Sequence, residues 1–377
     1  MSEYQYYEFQ AIDRLLGEED RRALRELSTR AKITATSFTN SYEWGDFKGD
    51  PAKLMERWFD LHLYLANWGS RRLMIRLPAR MVDRRLLESF LDEVDCAKIR
   101  IVGENMILSI ARDELEFEDW EDGTGRLAAL APLRDDVLAG DLRLFYLLWL
   151  TAVEEDIFAA DVPEPMPGIG PMTAALEAFT EFFGIDPDLV QAAAELSSVA
   201  SADAMSTEAA RKVIAALPDD EKTGLLVRVF EGAPHVATEL RAEVRKRQGA
   251  EAGAPPEAIR SVGELRARAE AIRLAREHAY ADKVAAERKR QAEEAEKVRR
   301  ARLDAIARRG ESVWREIESE IERRNAAGYD RAAGLLSDLK AIALERGTIK
   351  DFRHRLGAIR ERHVRKERFI ERLNTLG

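Results

Sequence analysis

Few residues of this 377-residue chain have both the type and the spacing that chemistry requires. The run 218–222, PDDEK, has the letters of a metal-dependent nuclease core, in which two carboxylates and a lysine surround a metal. That core draws its residues from adjacent strands, whereas these are consecutive and precede the apolar-periodic TGLLVRVF. Carboxylates placed there face the positive end of a helix dipole. The pattern therefore predicts a helix N-terminus.

A second candidate site lies near the start of the chain. The loop YEWGDFKGD places Glu43, Asp46 and Asp50 near two aromatic residues, a mix suited to hold a cation or a peptide, and His62 follows. Carboxylates with a histidine suit general acid–base chemistry if the fold brings them into one cleft. The favoured interpretation is a turn that leads into a helix cap, with His62 as a hydrogen-bonded core residue. An enzyme with its site near Glu43, Asp46 and His62 remains the second alternative function.

Metal and cofactor motifs are missing from the sequence. The acidic run DELEFEDWEDG lacks the ligand spacing of a calcium loop. The five histidines form no H-E-x-x-H pair, and GIG at 168–170 lacks the third glycine of a dinucleotide fingerprint. The single cysteine, Cys96, excludes a disulfide framework and a zinc site of several thiolates, and suits a reducing interior. We expect no cofactor and no metal.

Charge is unevenly distributed along the chain. Residues 1–256 carry 29 Lys/Arg and 47 Asp/Glu, a net charge of −18, whereas residues 257–377 carry 30 and 22, a net charge of +8. An acidic body with a basic tail can use the tail on an anionic partner or on the body itself.

The densest basic clusters lie in 275–309, which has opposite charges four residues apart, as in Glu293 and Lys297. Each such pair stabilises an isolated helix by about 0.2–0.5 kcal/mol. A coiled-coil seam from Leu274 would bury Arg288 and Arg302, so a regular two-stranded coiled coil is disfavoured. A solvated helix is favoured. Phosphate binding within 287–309 is the alternative, through Arg288, Lys289, Arg290, Lys297, Arg299, Arg300 and Arg302.

The N-terminal residues 1–160 are predicted to form an α+β domain. Strands are expected at YQYYEFQAI, TSFTNSYEW and RRLMIRLP, and a hairpin at AKIRIVGENMILSIARD. Helices are expected at 18–30 and at 50–68, the second with Asp50 as its N-cap and Pro51 in its first turn. No strand-to-helix turn is glycine-rich, which favours a mixed or antiparallel sheet over a doubly wound one.

Mostly α-helical domains follow. A small helical domain is predicted at 172–247 and a flexible linker at 248–256, QGAEAGAPP. A long charged helix is predicted at 257–310, with Ser261 and Glu264 as its capping box. A C-terminal helical hairpin is predicted at 311–377, with the candidate partner-binding residues Leu335, Leu339, Phe352 and Leu356.

Membrane insertion is not expected from the sequence. The opening MSEYQYYEFQ has no basic start or apolar run, and no stretch approaches the roughly 18 apolar residues of a membrane span. The apolar run LFYLLWLTAV predicts a buried helix. We expect a cytoplasmic protein.

Three segments carry a resemblance: YYEFQAIDR, WGDFKGDPAKLMERWFDLHLYLANWG and RLGAIRERHVRKERFIERL. Through them the chain resembles members of an uncharacterised family of bacterial proteins, a resemblance that implies no activity. The tail alone is similar to the C-terminal helices of some SWIM-type zinc-finger proteins. With Cys96 as its only cysteine the chain lacks the zinc finger, so the similarity implies no metal ligand.

These patterns together favour a non-enzymatic accessory or adaptor protein. Its helical C-terminal arm and hairpin are expected to bind a protein partner. The first alternative is a nucleic-acid-associated component whose basic arm contacts phosphates.

Overall fold

The computed structural model describes residues 3–117, 121–196, 207–232, 235–251 and 259–374. The chain divides into two compact units, Met1–Ala275 and Arg276–Gly377. Each unit has a hydrophobic core of its own. The predicted linker 248–256 lies outside the described residues from position 252 onward. The acidic run 113–123 lies outside them at 118–120.

The first unit is built on one antiparallel sheet. Within the described residues its seven strands are β1 (Gln5–Gln10), β2 (Lys32–Ile33), β3 (Ser37–Tyr42), β4 (Leu61–Ala66), β5 (Arg71–Pro78), β6 (Ala97–Val102) and β7 (Asn105–Arg112). They lie in the order β2-β3-β1-β4-β5-β7-β6. The predicted α+β class and the hairpin that turns at Gly103 are confirmed.

Helices cover the sheet unevenly. Those of the first unit are α1 (Glu18–Leu27), α2 (Pro51–Arg57), α3 (Arg84–Phe90), α4 (Arg126–Leu130), α5 (Pro132–Leu138), α6 (Arg143–Glu154), α7 (Ala174–Phe182), α8 (Pro187–Ala194), α9 (Thr207–Ala216), α10 (Asp219–Phe230) and α11 (Val236–Glu251). One face of the sheet shares a core cluster with α3 to α8, and α6 is buried as predicted. The other face packs against α1 and α2.

Residues 50–68 do not form the single helix predicted for them. Its first part forms α2, where Asp50 caps the backbone N–H groups of Ala52 and Lys53 as expected. Residues 61–66 instead form β4, which pairs with β1 on one side and β5 on the other. Every residue of β4 is buried. Such a strand reads as a continuous apolar run, which periodicity cannot distinguish from a buried helix.

The long helix α12 (Val262–Arg309) begins at the predicted capping box and ends at Gly310. The Ser261 N–H donates to Glu264 Oε2 at 2.8 Å, and the Glu264 N–H donates to Ser261 Oγ at 3.2 Å. Val262, Leu265 and Ala269 bury its first turns in the core of the first unit. Among the described helices, none is both long and apolar enough to cross a membrane.

The second unit is helical. It contains the last turns of α12 together with α13 (Glu311–Glu322), α14 (Ala326–Glu345), α15 (Ile349–Arg362) and α16 (Glu367–Asn374). The predicted hairpin of α14 and α15 turns at Gly347, whose φ of 70° favours glycine. Leu303 and Ile306 of α12 share its core with Ile317 and Leu336.

Candidate functional site

A groove lies on the face of the sheet that α1 and α2 cover only in part. Its volume is about 860 Å³. The lining includes the side chains of Tyr7, His62, Tyr64, Arg72 and Met74, which come from the adjacent strands β1, β4 and β5. The loop before α2 closes one side of the groove with Asp46 and Asp50.

The strand register sets the floor of the groove. Tyr7 lies opposite Tyr64, and Tyr64 lies opposite Arg72. In the next row His62 lies opposite Phe9 on one side and Met74 on the other. Residues two apart on a strand share a face, so both rows project from the same side of the sheet.

Hydrogen bonds hold the tyrosines in place. The Tyr7 hydroxyl lies 2.9 Å from Gln5 Oε1 and 3.0 Å from Asp46 Oδ1, and the Tyr64 hydroxyl lies 3.3 Å from Gln5 Oε1. Gln5 Nε2 donates to the Gly45 carbonyl at 3.1 Å, which ties the loop to β1. Burial, followed by the charge of Asp46, raises the pKa of Tyr64 to about 12. Burial raises the pKa of Tyr7 too, so both phenols are neutral near pH 7.

His62 is the most deeply buried ionisable group that lines the groove. It is 1% exposed and stacks on Phe9 with ring centroids 3.9 Å apart. Nδ1 lies 3.0 Å from the Glu8 carbonyl oxygen, so Nδ1 carries the hydrogen and Nε2 the lone pair. Nε2 has no hydrogen-bond partner among the described residues. Burial lowers the pKa of His62 to about 3, so the ring is neutral at physiological pH.

This environment favours binding over proton transfer. An efficient general base has a pKa near the working pH, whereas the pKa of His62 is about 3. Asp46 and His62 line the same groove, while Glu43 is exposed and is absent from the lining. The neutral ring is suited to accept a hydrogen bond at Nε2.

The predicted phosphate-binding residues all lie on α12, with side chains exposed to solvent. Three of them pair with carboxylates: Arg290 with Glu287 at 2.9 Å, Arg299 with Glu296 at 3.4 Å, and Arg302 with Asp338 at 2.7 Å. No ion pair to a described residue involves the other four, Arg288, Lys289, Lys297 and Arg300.

These basic residues do not form a single face. A helix turns about 100° per residue, which separates Arg288 and Arg299 by only about 20° but places Lys297 about 180° from Arg288. A duplex therefore meets only part of the set at one time.

The predicted partner-binding residues lie in or against the core of the second unit. Phe352 and Leu356 are buried in it, and Leu335 and Leu339 are partly buried against it. Trp314 packs on Phe352, with ring centroids 6.0 Å apart, and lies beside the guanidinium of Arg355. These apolar side chains hold α13, α14 and α15 together.

Four lining residues were not predicted from the sequence: Gln5, Tyr7, Tyr64 and Arg72. A signal was present, because Gln5, Tyr7 and Phe9 alternate along β1 and His62 and Tyr64 alternate along β4. Assigning β4 to a helix removed the strand that brings these residues together.

A metal-binding cluster was sought in the described ranges of the chain. They contain no group of three or more His, Cys, Asp and Glu residues arranged to hold a metal ion. Comparison with protein-family models, curated proteins and solved structures gives no match to the chain.

Proposed function

We propose that the protein is a cytoplasmic, non-catalytic adaptor whose C-terminal helical arm binds an α-helix of a protein partner. The observation that carries the proposal is an exposed apolar stripe on α12. Tyr280 is 70% exposed and Val298 is 62% exposed. The two residues are 18 positions apart, which is five helical turns, so they lie on the same line along the helix.

The stripe extends between these two residues. At about 100° per residue, Val284, Gln291 and Ala295 fall within roughly 60° of that line, as do the carboxylates Glu287 and Glu294. We call Tyr280, Val284, Gln291, Ala295 and Val298 the arm stripe. Glu287 lies within this band, about 20° from the line, and Arg288 lies beside it, about 80° away. Exposed apolar side chains bordered by charges of both signs are a pattern by which amphipathic helices dock on one another.

Solvent exposure of this segment supports a docking role. Residues 275–302 of α12 are exposed apart from Val284 and Glu287, which are partly buried. Both ends of the helix differ from this exposed segment, because Leu265 and Leu303 are each buried in a core cluster. The exposed segment that carries the arm stripe therefore lies between two stretches of α12 that are buried.

Two matched double variants test the proposal by affinity capture from a lysate of the source organism. Y280E/V298E alters the arm stripe, and K289A/R300A alters the opposite side of the helix. Each lowers the net charge by two, and circular dichroism checks that α12 stays helical. We expect one stoichiometric protein partner that the stripe variant loses and the control retains. Equal capture by both variants, or no stoichiometric partner, contradicts the proposal.

Nucleic-acid binding is the second candidate, favoured by the exposed cations that pair with no described carboxylate. Fluorescence anisotropy of labelled DNA and RNA across a salt series tests it. If the arm contacts phosphates, affinity falls steeply with salt, and alanine at Lys297, Arg299, Arg300 and Arg302 together abolishes binding. Unchanged affinity in that variant removes this candidate.

A further inference from the structure

We infer that the groove on the sheet of the first unit binds an organic cation, either a guanidinium or an ammonium group. The cation belongs to a free small molecule or to a basic side chain of a peptide. This site is separate from the arm stripe and does not depend on the adaptor role.

Two hydrogen-bond acceptors that line the groove have no partner among the described residues. Asp46 Oδ1 accepts from the Phe47 N–H at 2.7 Å and lies near the Tyr7 hydroxyl, whereas Asp46 Oδ2 has no partner among the described residues. His62 Nε2 is a second acceptor without a described partner, on a side chain that is 99% buried. Asp46 is exposed, so water hydrates its free oxygen when no ligand is bound, whereas the His62 side chain is buried and lines the groove. A ligand that supplies N–H donors satisfies both atoms.

Charge in the groove points to the same ligand class. Glu3, Asp46 and Asp50 line it, against a single cation, Arg72. Arg72 already faces Asp113, with Nη2 3.6 Å from the carboxylate. Lining carboxylates therefore outnumber the lining cation, and the groove disfavours anions such as phosphates and carboxylates.

Aromatic rings complete the site. Tyr7, Tyr64 and Trp68 all line the groove, and Trp68 is 47% exposed at its rim. The face of an aromatic ring carries partial negative charge and attracts guanidinium and ammonium groups, a contact worth about 0.5–2 kcal/mol. Carboxylates beside neutral rings are thus suited to a cation that is both charged and partly apolar.

Calorimetric titration of the full chain tests the inference with ligands that differ in one group. N-acetylarginine amide carries a guanidinium, and N-acetylcitrulline amide replaces it with a neutral urea of similar shape. We expect the arginine compound to bind at least tenfold more tightly. Agmatine and the pentapeptide Gly-Gly-Arg-Gly-Gly then separate the two sources of the cation, since a site for free molecules prefers agmatine and a site for peptides prefers the pentapeptide.

Three variants place binding in the groove. Asp46→Asn keeps the shape and removes the charge, and we expect it to weaken binding at least tenfold. Met74→Arg introduces a cation into the lining and is expected to abolish binding. Asp92→Asn changes an exposed carboxylate that does not line the groove and is expected to bind as the unaltered chain does.

Three results would contradict the inference that the groove binds an organic cation. Equal affinity for the arginine and citrulline compounds, no detectable heat with any cation at millimolar concentration, or unchanged binding in Asp46→Asn overturns the inference. Thermal melting checks that each variant is folded. If Met74→Arg does not fold, the Asp46→Asn result alone decides.

Discussion

Two buried polar residues of the first unit, Asp60 and His62, are compensated in different ways. Asp60 has no exposed surface, and its carboxylate accepts from the N–H groups of Ile12 and Asp13 and from Arg76. His62 avoids the cost of a buried charge differently, because burial lowers its pKa to about 3 and the ring remains neutral. One residue is compensated by partners and the other by losing its proton.

The lowered pKa of His62 makes stability depend on pH. Below about 6.5 the unfolded chain protonates this histidine while the folded protein does not, until the pH approaches about 3. The stability that neutral His62 confers is therefore fully present above pH 6.5 and is lost as the pH falls. The slope is about 1.4 kcal/mol per pH unit, so lowering the pH from 7.5 to 5.0 costs roughly 2 kcal/mol through this residue.

The variant His62→Gln is expected to lack this contribution. Urea unfolding followed by tryptophan fluorescence measures it, since five of the six tryptophans precede residue 276. Carboxylates titrate alike in both proteins, so the difference between their pH slopes isolates His62. His278→Gln, at an exposed position of α12, is the control. Identical slopes in His62→Gln and the unaltered protein would show that the pKa of His62 is the same in the folded and unfolded states.

At the scale of elements, one buried network joins strands to helices. Arg134 of α5 is 1% exposed and donates to the Arg76 carbonyl of β5 at 2.8 Å and to Asp13 Oδ2 at 2.6 Å. His235 at the start of α11 lies 3.1 Å from the same Asp13 oxygen. Five segments that are distant in sequence therefore meet through Asp13, Asp60, Arg76, Arg134 and His235.

We expect Arg134→Met to destabilise the first unit by about 3 kcal/mol, because it removes a buried guanidinium from the carboxylates of Asp13 and Asp60. The same urea titration measures the loss. Arg84→Met is the matched control, since Arg84 pairs with Glu88 on the surface at 2.7 Å. Exposed pairs contribute less than about 1 kcal/mol. A similar loss in both variants would mean that the network does not carry the expected energy.

At the scale of the whole molecule, the two compact units have separate cores. The clusters around the sheet include Leu63, and the cluster of the second unit includes Leu336. Neither of these residues has exposed surface. The last turns of α12 bring Leu303 and Ile306 into the second cluster.

Separate cores predict separate responses to mutation. Leu336→Ala is expected to cost about 2–5 kcal/mol, and the loss should be confined to the second unit. Hydrogen exchange should then speed up in α13 to α16 and remain unchanged in β1, β4 and β5. Leu63→Ala should give the reverse pattern. Faster exchange in both units from either substitution would show that they unfold together.

Local features of this fold were predictable from the sequence. The capping box of Ser261 and Glu264, the stops at Gly310 and Gly347 and the helix start at Asp219 are each set by residues within one turn of the feature. The α+β class and the strand β5 followed from short-range alternation and turn residues. Helix caps, breakers and alternation act between near neighbours, so the sequence carries them directly.

The groove could be recognised only from the tertiary structure. Its floor exists because β4 is a strand that places Tyr64 between Tyr7 and Arg72, and local periodicity favoured a helix there. The network at Asp60 likewise joins residues more than 100 positions apart. Strand pairing and buried ion pairs depend on which distant segments meet, and no window of sequence contains that information.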